Sequence, residues 1–115
     1  MALYPSTIAS LTDLTAVGVT EAIQCSKDFE LHTTILTIQV TVSGIGTDVV
    51  VRFEGSLTGD DQSFFNLDGE DADTTFTSDG TKGYVLKDLP IEFVRVRLVS
   101  FTGGSPTVAT TVGAA

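Results

Sequence analysis

The chain has 115 residues, one cysteine, and 15 acidic against 6 basic residues, for a net charge of −9. That length suits one domain with one core, and a single cysteine excludes an intrachain disulfide. An acidic chain offers no basic face for nucleic-acid phosphates or anionic membrane surfaces, so neither is an expected partner.

Composition points to strands. Eighteen residues are threonine and eleven are glycine, and valine is abundant. Thr and Val are stiff at χ1 and sit well on a pleated surface. No stretch of helical length concentrates Ala, Glu, Lys and Leu. Met1-Ala2-Leu3-Tyr4-Pro5-Ser6 lacks the basic and apolar segments of a signal peptide, so none is expected. The apolar runs are too short for a membrane helix.

In chain order, residues 1–16 scatter Leu3, Ile8, Leu11 and Leu14 among Ser and Thr, and read as an N-terminal arm or edge strand. Pro5 argues against a central strand there. Residues 17–115 form the β domain proper. Within them, 17–25 predict a strand with Val17, Val19, Glu21 and Ile23 alternating, followed by a turn at Ser26-Lys27-Asp28. Leu36, Ile38, Val40 and Val42 alternate with Thr37, Gln39, Thr41 and Ser43, giving one apolar and one polar face. Phe29, Leu31 and Ile35 have the opposite parity, so a bulge or bend is expected near Thr33–Leu36.

Gly44-Ile45-Gly46-Thr47-Asp48 reads as a turn, making a hairpin with a strand over 49–58. In that strand Val49, Val51, Phe53 and Leu57 take the core face, and Val50, Arg52, Glu54 and Ser56 the other. Residues 59–83 are acidic and loop-rich, with short strands expected at 63–67 and 74–77 and a turn at Ser78-Asp79-Gly80. A short strand follows at 84–87, then a break at Leu89-Pro90. In 91–101, Val94, Val96 and Leu98 point inward and Arg95 and Arg97 outward. Gly103-Gly104-Ser105-Pro106 reads as a turn before a last strand at 107–112. About eight short strands at this spacing predict a single antiparallel β-sandwich, jelly-roll-like.

No combination of residues suggests catalysis, so no enzyme and no cofactor are expected. His32 lies beside Thr33 and Thr34 with no local carboxylate or nucleophile, and no nucleophile elbow is present. Cys25 reads as a small buried apolar residue. Asp68, Glu70, Asp71 and Asp73 are spaced closely enough to hold a hard cation, but their glycine falls at the wrong place for an EF-hand loop. A solvated acidic loop is the preferred reading. The same carboxylates lack the tryptophan platform that usually accompanies glycoside hydrolysis. The glycines at 44–46 and 103–104 precede no helix and form no phosphate cradle.

Arg52, Glu54, Arg95 and Arg97 fall on the polar faces of the two strongest strands, 49–58 and 91–101. Paired antiparallel, these strands would bring Glu54 beside Arg95 or Arg97 as an exposed cross-strand ion pair. The arginines are the candidates for a subunit contact, where arginine is enriched.

Two passages also carry a resemblance. One is Val51-Arg52-Phe53-Glu54-Gly55-Ser56-Leu57-Thr58-Gly59, followed by Phe64-Phe65-Asn66-Leu67. The other is Pro90-Ile91-Glu92-Phe93-Val94-Arg95-Val96-Arg97-Leu98-Val99-Ser100, followed by Gly103-Gly104. Together they resemble small virion proteins of tailed bacteriophages, over about residues 49–104. The sequence departs from that pattern at Thr58, where Asp is usual, and at Phe64 and Phe65, where Trp is usual. The resemblance implies a capsid decoration (cement) protein that is located in the virion, made in the host cytoplasm, and bound to the major capsid protein or other virion proteins. It implies a homo-oligomer, with a trimer among its forms. A tail or head-tail accessory is the alternative within the same class. A similar strand pairing in discoidin-like domains gives a second alternative, a carbohydrate- or receptor-binding module. The resemblance assigns roles in the strand arrangement and carries over no functional residue.

Overall fold

The computed structural model describes residues 7–25, 35–67, 73–87 and 91–114. Among the described residues, eight strands occur in chain order: β1 (Thr7–Ser10), β2 (Gly18–Val19), β3 (Ile23–Gln24), β4 (Ile35–Ser56), β5 (Phe65–Asn66), β6 (Thr74–Phe76), β7 (Gly80–Lys87) and β8 (Phe93–Ala114). A single 3₁₀ turn, Asp61–Ser63, lies between β4 and β5. Every pairing is antiparallel, and all eight strands belong to one hydrogen-bonded sheet. The all-β class therefore holds. Hydrogen bonds join the described strands into one sheet, whose two halves pack on a shared core.

The frame is a ribbon of two 22-residue strands, β4 and β8, paired from Leu36↔Ala114 to Ser56↔Phe93. The turns expected at 44–48 and 103–106 do not reverse the chain. Both glycine groups instead lie opposite each other in mid-ribbon, where the register shifts between Ser43, Ile45 and Asp48. The backbones approach so closely there that a Cβ on Gly46 would sit 2.4 Å from the Gly103 carbonyl carbon. Gly44, Gly103 and Gly104 hold φ of 73°, 69° and 69°, values that L side chains resist. The sequence supplies turn residues, but long-range pairing converts the turns into a corner. The hairpin partner expected for 49–58 is thus the far strand β8, so the two strongest strands do lie side by side.

The corner divides the sheet. Before it, the first half of β4 lies between β7 and the second half of β8, with β1 at the edge beyond. After it, the second half of β4 lies between the first half of β8 and the short strands β6 and β5. There β2 and β3 cover the other side of β8. The single strand expected over 17–25 is broken into these two pieces by Thr20. Its backbone N–H donates to the Val96 carbonyl, and its hydroxyl accepts from the Val96 N–H.

The two halves share one core. Leu36, Ile38, Val40 and Val42 are buried, as the alternation requires, and so are Val49, Val51 and Phe53. The parity changes from even to odd across residues 43–48, and the corner irregularities absorb that change. Phe53 from one half stacks on Tyr84 of β7 from the other, with ring centroids 5.6 Å apart. The Tyr84 hydroxyl donates to the Leu67 carbonyl across the same seam. Cys25 is buried, as read from the sequence. Leu57 was expected on the core face, yet it is 63% exposed because β4 ends at Ser56. The bulge expected near Thr33–Leu36 lies partly outside the described residues, and Ile35 and Leu36 pair in regular register with Lys87 and Leu86. The strand expected over 63–67 shrinks to Phe65–Asn66, while the 84–87 strand grows to all of β7. No helix among the described residues is long and apolar enough to cross a membrane.

Candidate functional site

The outer faces of the two halves differ in chemistry. On the half after the corner, the register sets Arg52 opposite Arg97 and Glu54 opposite Arg95. Residues directly opposite share a face, so four charged side chains converge. Two arginines facing each other would repel, and each is supplied with its own carboxylate. Arg52 donates from Nε and Nη2 to Asp73 Oδ1 and Oδ2 at 2.7 and 3.2 Å, and Asn66 Nδ2 also donates to Asp73. Arg97 Nε donates to Glu54 Oε2 at 3.0 Å. Arg95 Nε donates to Glu54 Oε1 at 2.8 Å, and its Nη1 donates to Asp61 Oδ1 at 2.8 Å. Three arginines and three carboxylates thus form a neutral set.

The Glu54–Arg95 pair was expected on an exposed face. It is buried instead: Glu54 is 3% and Arg95 5% exposed. The cover is the segment 57–64, which crosses this face. Phe64 lies over the Arg95 guanidinium, 3.8 Å from carbon to ring centroid. Asp61 caps the outer side of Arg95 while its own side chain stays 85% exposed. Burial by itself would lower the Arg95 pKa, but hydrogen bonds to Asp61 and Glu54 outweigh it and raise the value. The hydrogen bond and charge of Arg95 hold the Asp61 carboxyl below its ordinary range.

This geometry explains the motif Glu54-Gly55-Ser56 with Gly59 three residues beyond. Glu54 binds two arginines. Gly55 leaves room for Leu67 and Ile91, whose atoms would stand 2.7 and 3.2 Å from a Cβ placed there. The Ser56 hydroxyl accepts from the backbone N–H groups of Thr58 and Gly59 and bonds the Ser63 hydroxyl, shaping the turn. Gly59 holds φ of 83° against the Phe93 ring. Thr58 and Phe64 both fit this turn. Thr58 contributes its backbone N–H, and Phe64 supplies the aromatic face that Arg95 needs.

The sequence therefore placed Arg52, Glu54, Arg95 and Arg97 on one face, and the structure brings them together. Their charges are satisfied within the chain. Sequence reasoning missed Asp61, Phe64 and the Arg52–Asp73 pair, because those partners lie in stretches with no period. Of the cation candidates, Asp73 is held by Arg52 and Asn66, and Asp68, Glu70 and Asp71 lie outside the described residues, as does His32. Among the described residues, no group of three or more His, Cys, Asp or Glu side chains is placed to hold a metal ion.

The half before the corner is bare by comparison. Its outward register positions on β4 are Thr37, Gln39, Thr41 and Ser43. Beside them on β8 stand Thr107, Ala109, Thr111 and Gly113. On β7 the same rows hold Thr81, Gly83 and Val85. Thr41 and Thr81 bond hydroxyl to hydroxyl across the strands at 2.9 Å. The ionisable residue at these positions is Lys87, in the last row, opposite Ile35.

The sequence matches no protein family model and no curated protein. The fold has a solved counterpart. It is similar to the crystal structure of the SPBc2 prophage-derived protein YomS, with a TM-score of 0.58 at 16% identity. The likeness spans 100% of this chain and 98% of that one.

Proposed function

We propose that this chain is a structural protein of a bacteriophage particle, a capsid decoration protein that stabilises the particle through protein–protein contacts. The observation that carries this reading is the end-to-end fold likeness to a prophage-derived protein. The sequence resemblance to small virion proteins points the same way, and its motif positions serve the fold here. The motif residues form a covered, charge-neutral cluster whose groups hold one another, which suits a rigid module and no reaction. On this reading the protein has no catalytic step and no cofactor. It works as a homo-oligomer against the major capsid protein or another virion protein.

The test is mass spectrometry of purified particles of the phage that encodes the chain, followed by immunogold labelling. Copies in stoichiometric amounts on the head support the decoration role. Label confined to the tail or neck moves the protein to the accessory role. Absence from purified particles overturns the virion reading.

A further inference from the structure

The outer face of the half before the corner combines three properties that rarely meet on a strongly charged protein. It is a four-stranded surface, built from β1, β8, β4 and β7. Its outward positions are mostly Thr, Ser, Ala and Gly, with Ile35, Gln39, Val85 and Lys87 the exceptions on β4, β7 and β8. It carries no carboxylate at any outward register position of β4, β7 or β8, on a chain with a net charge of −9. On the other half, the corresponding face is occupied by the arginine–carboxylate set and closed by residues 57–64.

We infer that this threonine-rich face is the contact with a second copy of the chain, two sheets packing face to face. Charge selects the occupant. Two copies at −9 each repel wherever carboxylates meet, and the register positions of this face bring none together. A partner recognised by charge would find only Lys87, in the last row, at the outward register positions of β4, β7 and β8. Shape agrees, because Thr, Ala, Gly and Ser project little and let sheets approach to about 10 Å. Area agrees as well. Eight residues on each of β4, β7 and β8 and the four of β1 give a surface of roughly 440 Å² per copy. Doubled, that is about 900 Å², the size of a weak, concentration-dependent contact. Hydroxyls along the strands give each copy donors and acceptors, and a two-fold axis makes every contact count twice. Gln39 and Thr41 stand near the centre of this face, beside Thr111 and Ala109.

The inference deepens the proposed function by locating its homo-oligomer contact, and it moves that contact from the arginines to the opposite half. The experiment is light scattering coupled to size exclusion on the full chain, from about 10 to several hundred micromolar. The wild type is expected to run at twice the monomer mass or a higher multiple. Thr41→Arg, which places a charge at the centre of each face, is expected to return the protein to the monomer with an unchanged circular-dichroism spectrum. Val17→Lys, at a residue that is 61% exposed and precedes β2, is expected to keep the wild-type mass. Should Thr41→Arg unfold, Thr111→Lys takes its place. A monomeric wild type throughout this range, or an arginine or lysine variant that keeps the oligomeric mass, overturns the inference. Either result leaves the particle test untouched, so the two readings fail separately.

Discussion

Glu54 offers the sharpest test of how the covered face is held. Replacing it with alanine removes the acceptor of two arginines at once. Arg95 is buried and bonded at 2.8 Å, so its share carries full weight; the Arg97 side chain is 34% exposed, so its share is discounted. Hydrogen bonds to charged groups contribute about 1.5–3 kcal/mol each when buried. Counting the Arg95 bond near the middle of that range and the Arg97 bond at the low end gives about 3–4 kcal/mol. This agrees with the 3–5 kcal/mol typical of breaking a buried pair by removing one partner. Against a total stability of about 5–15 kcal/mol, that is a large fraction. Urea titration followed by circular dichroism reads it directly. With a slope of about 1.5 kcal/mol/M, the midpoint is expected to fall by roughly 2–3 M with the slope unchanged. The double variant Glu54→Leu/Arg95→Met should recover most of the loss, because it leaves no buried charge unpaired. A midpoint shift below about 0.5 M for Glu54→Ala would show that water reaches the pair, and would refute the reasoning.

Three further outcomes are expected. The Thr110 hydroxyl is buried without a hydrogen-bond partner, so Thr110→Val should raise stability by about 1 kcal/mol, seen as a rise of a few degrees in Tm by calorimetry. Gly46→Ala should destabilise by more than about 2 kcal/mol, because its Cβ would meet Gly103 backbone at 2.4 Å; Gly83→Ala, whose Cβ would find nothing closer than 3.5 Å, should differ from wild type by less than about 1 kcal/mol, and equal effects in matched denaturant titrations would count against the corner. Asp61 and Glu21 both have lowered pKa values, the first from Arg95 and the second chiefly from the Thr12 backbone N–H. Their stabilisation is therefore complete above the ordinary values of 3.8 and 4.5 and is lost as pH falls through the depressed ones. Glu21→Gln/Asp61→Asn should flatten the acid limb of the stability curve below about pH 4.5, and an unchanged limb would refute it.

Local pattern carried much of the fold. The alternation from Leu36 to Val42 and from Val94 to Leu98 named the core face of both long strands. It also placed Glu54 with Arg95 and Arg97, because period two and antiparallel pairing leave little choice. Two things were beyond reach. Gly44, Gly46, Gly103 and Gly104 have the chemistry of turns, and only their pairing with each other makes them a corner. The depth of Glu54 depends on Phe64 and Asp61 folding back over it, and a ten-residue return of the chain leaves no periodic trace. The uncharged face was visible residue by residue as Thr37, Gln39, Thr41 and Ser43. Its width appeared only when β7 and the end of β8 were laid beside it.

The pairing of β1 with the last residues of β8 has a consequence for synthesis. Thr7 lies opposite Ala114 and Ser10 opposite Thr111, and β2, β3 and β4 also find their neighbours on β8. While β8 is still in the ribosomal exit tunnel, β1, β2, β3 and β4 lack the partner they share. The ribbon can close only after β8 has left the exit tunnel. Folding therefore has high contact order and is slow by the standards of its size. Until then the apolar face of β4 is open to other nascent copies, and a net charge of −9 opposes their association.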